Sequence, residues 1–395
     1  MKLNIRSIIT SSIASIISMP AMVLAASPQE FQLHGFAAIS YLHSDDNNFF
    51  GDSENGSFEF YELGLNGLWE PHKRFHFATQ AVARDAGETD DGNIRIDFAF
   101  ANIKLLIDEH YETSVRLGRV VNPYGFYNDT RDVAATRPSI LLPQSVYFDV
   151  NRNLALSSDG AHLIHQHRLE KSDITFQIGV FEPRTEDPDL EPATFFQSVP
   201  GEFEGARSWM ARLNYDYDFG RFRAALTAAD IELDYKPSRD DLLSPGFLDL
   251  RPLIFSVQYQ QEQWTLTAEY VIRKTALKDF GPPLEGDIEG HNFFIQGEYR
   301  LSNKWRWFLR YDELVWNNDD PKGEDFEAAT GIQGHIRYAK DWTLGTRWDF
   351  NQHYMVSAEI HSIEGTGWLS ILENPLTEPT DKDWSLFAVT FSARF

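Results

Sequence analysis

Apolar and polar residues alternate along most of the chain with a period of two. Trp264 to Ile272 shows the pattern, because every second residue from the tryptophan onwards is apolar, while Thr265, Thr267 and Glu269 are polar. Successive side chains of a β-strand point to opposite faces, so the alternation predicts a strand with one apolar and one polar face. The pattern recurs in Trp342 to Phe350.

Sixteen segments follow this pattern, most of them about 9–13 residues long, which is the length that a tilted strand needs to cross a bilayer. Short turns and long, mostly acidic loops connect them in alternation, as in transmembrane barrels. The sequence therefore predicts an all-β fold, a closed antiparallel transmembrane β-barrel of about 16 strands, with about 14 or 18 as alternatives. The predicted segments are Phe31 to Tyr41, Tyr61 to Trp69, Phe75 to Asp85, Asn93 to Ile107, Thr113 to Val121, Ala161 to Leu169, Ile174 to Phe181, Trp209 to Tyr217, Phe222 to Leu233, Leu253 to Tyr259, Trp264 to Ile272, Phe293 to Leu301, Trp305 to Val315, Trp342 to Phe350, Tyr354 to Ile363 and Trp384 to Phe395.

One long stretch, Asn122 to Asp159, does not keep the period. Pro123, Pro138 and Pro143 keep most of it out of a sheet, because proline has no backbone donor for the ladder. Its many aromatic and aliphatic residues also make a disordered loop unfavourable. A connection of this length needs a surface to pack against. We therefore expect residues 122–159 to fold inward as a loop that narrows the barrel.

Composition supports a membrane barrel over its alternative, a soluble β-sandwich with one wet face. Aromatic residues make up 14% of the chain although hydrophobic residues make up only 42%. Aromatics stand near segment ends, as Trp69, Trp209 and Trp305 do, where the interfacial girdles of a membrane barrel are found. A sandwich would need a larger aliphatic core between its sheets.

The first residues carry the signs of a targeting segment. Lys2 and Arg6 form a positive region, an apolar stretch follows, and Val23 to Ala25 resembles a cleavage site. We expect residues 1–25 to be a signal peptide and residues 26–395 to form one barrel domain. Loss of Lys2 and Arg6 would take the formal charge from −24 to about −26, which argues against nucleic acid as a partner. Cysteine is absent, so the chain has no thiol chemistry.

Charged residues within the inward stretch are candidates for a pore constriction, because rings of charge select ions when they line a narrow passage. Local ion pairs that fix the shape of the loop are the alternative. Arginine on the lipid side at mid-depth would cost about 2–4 kcal/mol, so arginines of the segments are expected to face the lumen. The candidate constriction residues are Asp129, Arg131, Asp132, Arg137, Asp149 and Arg152, and the candidate pore-wall residues are Arg84, Arg116, Arg306, Arg310 and Arg347. We expect them to produce a slight anion preference.

The chain ends in WSLFAVTFSARF, which places Phe387, Phe391 and the terminal Phe395 on one face. This ending resembles the last strand of Gram-negative outer-membrane barrels. Together with the export signal and the run LGRVVNPYG before the long stretch, it makes the chain similar to the sixteen-stranded porins of the general-diffusion and phosphate-selective types. The resemblance implies periplasmic short turns, outer long loops, and a third outer loop that narrows the pore.

The resemblance also implies a function and partners. It implies passive diffusion of small hydrophilic solutes and ions, with a phosphate-like anion channel and a non-conducting adhesive barrel as alternatives. It implies contact with outer-membrane lipid and lipopolysaccharide, a homotrimer, and recognition of Phe395 by the barrel assembly machinery. We expect no cofactor, no metal and no enzymatic activity, because His162 faces away from His165 and His167 on a strand and no catalytic group converges with them.

Overall fold

The computed structural model describes residues 31–282 and 284–395. The expected signal peptide, residues 1–25, lies outside this part of the chain.

Antiparallel strands form one closed barrel. In the described residues, sixteen barrel strands each pair with the next strand of the ring, and β17 pairs with β1. One short extra strand, β8, pairs with β10, and β7 pairs directly with β9. The strands are β1 (Phe31–Ser44), β2 (Ser57–His72), β3 (Phe75–Ala86), β4 (Asp91–Ile107), β5 (Tyr111–Val121), β6 (Ser157–Arg168), β7 (Ser172–Pro183), β8 (Glu202–Gly205), β9 (Ser208–Tyr217), β10 (Phe222–Lys236), β11 (Gly246–Gln260), β12 (Trp264–Lys278), β13 (Gly286–Ser302), β14 (Trp305–Val315), β15 (Tyr338–Asp349), β16 (Tyr354–Glu364) and β17 (Asp383–Arg394). The predicted fold class is confirmed.

The chain termini close the ring. Phe36 to Ser44 of β1 pair with Leu386 to Arg394 of β17. Phe395 adds one more step, because its backbone N–H donates to the Gly35 carbonyl at 3.0 Å and its carbonyl accepts from the Gly35 N–H at 3.2 Å. A Cβ on Gly35 would collide with the Phe395 ring. Glycine at this position therefore lets the last side chain lie flat on the first strand.

The two faces of the wall differ as the alternation predicts. On β12, Leu266 is 50% exposed and points outward, whereas Glu269 is 1% exposed and points inward. Large apolar side chains stay exposed on the outer face all round the barrel, as Leu65, Ile295 and Leu344 do. This is the surface that a bilayer would cover. Among the described residues, no helix has the length and apolar character needed to span a membrane.

Connections at one end of the barrel are tight turns, and at the other end they are long loops. The turns are residues 73–74, 108–110, 169–171, 218–221, 261–263, 303–304 and 350–353, and the loops are residues 45–56, 87–90, 122–156, 184–201, 237–245, 279–285, 316–337 and 365–382. In the part of the chain that the structure describes, three short α-helices lie in the loops, Arg152–Leu156, Leu190–Phe195 and Glu324–Thr330. The third loop ends at residue 156 rather than 159, because Ser157, Ser158 and Asp159 already pair with β5.

Candidate functional site

The third loop, residues 122–156, packs across the inside of the barrel, and we call it the plug. Its apolar side chains divide between two cores. Tyr147 and Leu142 join a cluster with Leu233, Ile254 and other residues of β10 and β11. Ile140 and Leu141 join a second cluster with residues of β1, β2 and β17. The plug thus binds opposite sides of the wall through apolar contacts, which are the anchors expected from its sequence.

Tyr147 organises one side of the plug. Its hydroxyl donates to Glu269 Oε2 of β12 at 2.5 Å and accepts from the backbone N–H groups of Phe126 at 2.7 Å and Tyr127 at 2.9 Å. The turn that brings these groups together needs Gly125, where φ is +58° and a Cβ would collide with the Tyr147 hydroxyl. One phenol therefore fixes two parts of the plug to one wall carboxylate.

Ion pairs fix the other side. Arg137 donates to Glu62 of β2 through its two terminal nitrogens, Nη1 at 2.9 Å and Nη2 at 2.6 Å. Asp149 accepts from Arg131 of the plug at 3.3 Å and from Arg84 of β3 at 3.2 Å. Such bidentate and shared contacts are the strong, geometrically specific kind. Arg137 and Asp149 of the plug therefore each lie against a wall residue of the opposite charge.

Arg152 and Asp132 form a further ion pair within the plug, and Gln80 of β3 donates to Asp132 at 3.4 Å. Five of the six candidate constriction residues are consequently buried, with exposed fractions between 1% and 8%; they are Arg131, Asp132, Arg137, Asp149 and Arg152. Only Asp129 among the six is exposed, and it contacts Arg212 of β9 at 2.8 Å. The structure brings the predicted residues together as an ion-pair network that holds the plug.

The five wall arginines face the lumen but occupy different environments. Arg310 is 1% exposed and donates to the Leu141 carbonyl at 3.0 Å, and Arg347 donates to the Ala135 carbonyl at 2.7 Å. Arg84 is in the network already described. Arg306 and Arg116 stay half-buried. Three wall arginines therefore bind the plug, whereas Arg306 lines a cavity and Arg116 lies over the Phe100 ring at 5.0 Å.

Wall carboxylates also satisfy backbone donors of the plug. Glu359 of β16 accepts from the N–H groups of Ile140 and Leu141, and Asp312 of β14 accepts from Ser145 N at 3.3 Å. Buried backbone groups need such partners, because an unsatisfied one costs about 1–3 kcal/mol. The period of two places Glu62, Glu269 and Asp312 inward, but the sequence gives no sign of their partners. Glu359 was not singled out from the sequence, although its place in the alternation would have shown it.

Two cavities lie on opposite sides of the plug and share no lining residue. A smaller one of about 200 Å³ lies towards the short turns, where Arg306, Arg300 and Glu298 line it with Tyr127 and Pro138 of the plug. A larger one of about 450 Å³ lies among the long loops, and we call it the mouth cavity. Its floor includes Phe148 of the plug. The plug therefore separates a charged vestibule from a mainly apolar one.

Buried carboxyls connect the long loops to each other and to the plug. Asp187 accepts from Asn153 of the plug through its N–H and its side-chain amide, both at 2.8 Å, and burial raises the pKa of Asp187 to about 7. Asp189 accepts from Ser370 Oγ at 2.7 Å, and burial raises its pKa to about 6. Glu373 accepts from the N–H groups of Phe50 and Gly51, and burial raises its pKa to about 7.

No family model matches the chain, and no curated protein matches it. Several solved structures are similar. The trimer form of OmpT, an outer membrane protein of Vibrio cholerae, has a TM-score of 0.54 and 10% identity, with 93% of this chain and 99% of that chain covered. OmpF of Salmonella typhi gives 0.56 and 13%, with 93% and 98% covered. An anion-selective porin from Comamonas acidovorans gives 0.52 and 12%, with 92% and 98% covered.

The closed sixteen-strand barrel, its inward third loop and these similarities define the class of fold. The chain has the barrel fold of the outer-membrane porins, which confirms at the level of fold the resemblance expected from its sequence. At 10–13% identity the similarity concerns the fold alone.

Proposed function

We propose that the protein is an outer-membrane channel for passive diffusion of small solutes, restricted by the plug. The observation that carries the proposal is that a polar inner wall and two cavities lie on either side of a segment bound across a closed barrel. A barrel that served only to present loops would have no need of a polar inner wall shaped around such a segment. The role is transport rather than catalysis.

The proposal includes export and assembly. Residues 1–25 act as the signal peptide, residues 26–395 form the mature barrel, and Phe395 is the assembly signal in a Gram-negative outer membrane. The long loops face outward, next to lipopolysaccharide, and the short turns face the periplasm.

We also propose a homotrimer. The OmpT trimer form supports it.

Conductance tests the proposal. We consider a deletion variant that lacks residues Ala134 to Gln144. The deletion removes the Arg137–Glu62 contact and the apolar anchor formed by Ile140 and Leu141, but it leaves every strand intact. We expect a folded barrel whose single-channel conductance in planar bilayers exceeds that of the parent, because the ladder closes without the plug. Liposome swelling with sugars should quicken in parallel.

A shorter deletion in another long loop, residues 237–241, provides the control, because these residues are not part of the plug. Equal conductance of the parent and the plug variant, with both folded, would place the permeation path elsewhere. Exclusion of all solutes by both proteins would favour the non-conducting, adhesive barrel.

A selective channel is the second candidate, because the lining of the mouth cavity is mainly apolar. A general-diffusion pore has no use for such a surface, whereas ligand pockets are lined mostly by apolar side chains with a few placed polar groups.

A further inference from the structure

The mouth cavity has the size and the lining of a ligand site. Its volume of about 450 Å³ lies in the range of small-molecule pockets. Phe148 of the plug, Leu277 of β12 and Trp316, Ile336 and Leu369 of the long loops contribute apolar surface. Four long loops and the plug meet there, so that a solute entering from the long-loop end reaches this cavity before the plug.

Among the described residues of the lining, Arg337 is the one arginine or lysine, and it lies beside two aromatic rings. The guanidinium carbon lies 4.9 Å from the ring centroid of Phe326 and 5.7 Å from that of Phe196, and the two rings are 5.2 Å apart. Arg337 is half-buried. Within the described part of the chain, no carboxylate lies within 4.0 Å of this guanidinium, and Asp320 attracts it only from a longer distance, whereas the buried arginines that hold the plug have ion pairs. Arg337 is therefore a partly desolvated cation that two aromatic rings keep in place and that offers N–H donors to a ligand.

A second polar group in the lining is without a partner. Thr366 is 4% exposed and lines the cavity, and its Oγ1 has no hydrogen-bond partner in the described residues. The Oδ1 atom of Asn151 in the same lining is also buried and unpaired. Buried polar atoms of folded proteins normally have partners, and a bound ligand with polar atoms would provide them.

Acidic side chains occur at the rim, where Glu285, Asp287 and Glu378 are exposed. Their repulsion is screened over about 8 Å at physiological salt, and they disfavour small, strongly hydrated anions that gain nothing from the apolar lining. A monoanion with an apolar body gains from burial of that body as well as from the cation. Phosphate, the anion suggested as an alternative from the sequence, fits this cavity poorly.

We propose that the mouth cavity binds a small organic acid, with its apolar aryl or alkyl body against the lining and its carboxylate at Arg337. The inference rests on the proposed channel function and names the solute class that the channel takes up. Thr366 Oγ1 donates to the same carboxylate or to a second polar atom of the ligand.

Calorimetry on the protein in lipid nanodiscs tests the inference with three probes of one shape, namely phenylbutyrate, phenylbutanol and phenylbutylamine. We expect one site per chain for phenylbutyrate, with a Kd about tenfold lower than that of phenylbutanol, because a charge-assisted hydrogen bond separates them. Arg337→Gln should weaken the binding of phenylbutyrate until its Kd equals that of phenylbutanol, and it should leave the Kd of phenylbutanol unchanged. Thr366→Val, which keeps the shape and removes an unpaired oxygen, should weaken phenylbutyrate without loss of folding.

The control variant is Arg207→Gln, which removes an exposed arginine outside the cavity lining and should change none of the three affinities. Tightest binding of phenylbutylamine would show that the acidic rim governs the site and would overturn the inference. Equal binding of all three probes, or competition by inorganic phosphate, would overturn it too. Absence of binding by a protein that still conducts would refute the inference alone, whereas binding without conductance would refute the channel and leave the site.

Discussion

The Tyr147 hydroxyl fixes the plug to the wall through three hydrogen bonds. Tyr147→Phe keeps the ring in its apolar cluster and leaves the Phe126 and Tyr127 donors to Glu269 or to water. We expect a cost of about 1–3 kcal/mol, confined to the plug, and therefore faster proteolysis within residues 122–156 and noisier single-channel currents with an unchanged barrel. Tyr270→Phe, on the outer face of β12, should show neither effect. Equal currents and proteolysis in all three proteins would mean that the Tyr147 hydroxyl is not a significant anchor.

The pair of Phe395 and Gly35 gives a second prediction for a single residue. Deletion of Phe395 removes two backbone hydrogen bonds at the seam and uncovers Gly35. We expect little heat-modifiable barrel in the outer membrane and degraded or precipitated chain instead. Phe391→Ala removes a ring of the same face from the same strand, and 42% of that ring is exposed. The amount of assembled barrel in this variant should stay near the parent level. An equal loss of assembled barrel in both variants would mean that Phe395 contributes no more to assembly than another apolar residue of the strand.

Among the elements, the strands were predictable from the sequence because each one repeats a local rule. All sixteen predicted segments coincide with barrel strands. Several continue beyond the prediction at the long-loop end, as β11 does from Gly246, where Asp249 and Arg251 replace apolar outward residues and end the alternation. The strand β8 has four residues, too few for a period to show.

The plug was predictable as an element but its contacts were not. Its prolines and aromatics exclude both a strand and a solvated loop, which suffices to place it inside. The partners of Arg137 and Asp149 lie on β2 and β3, distant in sequence, and follow only from the closure of the ring. Arg337 and Thr366 were not singled out, because their significance comes from two loops that meet around a cavity.

The long loops should respond to pH through Glu373. Its pKa rises from 4.5 to about 7 in the structure, so the loop contacts are most stable below about pH 4.5 and lose stability as pH rises towards 7. We expect the protection of backbone amides at residues 49–51 and 370–374, measured against the intrinsic base-catalysed exchange rate at each pH, to fall between pH 5 and pH 8. Glu373→Gln, which stays neutral, should flatten this dependence, whereas Glu378→Gln at the exposed rim should not. A profile that Glu373→Gln leaves intact would assign the effect to Asp187 or Asp189.

For the whole molecule, ion selectivity follows from the charges that remain accessible rather than from the formal charge of −24. Exposed loop carboxylates are screened within about 8 Å, while Arg306 lies in the vestibule beneath the plug. We expect a slight anion preference in a KCl gradient, which Arg306→Ser should shift towards cations. Arg310→Ser should instead raise conductance, because Arg310 is buried against the plug. Strong cation selectivity in the parent, unchanged by Arg306→Ser, would show that the acidic loops govern permeation.

The plug stands early in the chain, between β5 and β6, but β12, β14 and β16 supply its partners Glu269, Arg310 and Glu359. Its partners are therefore in place only after the later strands have joined the sheet. We expect a chain that stalls before β17 reaches β1 to keep the charges of the plug in water, because the ring that would exclude water from them is still open.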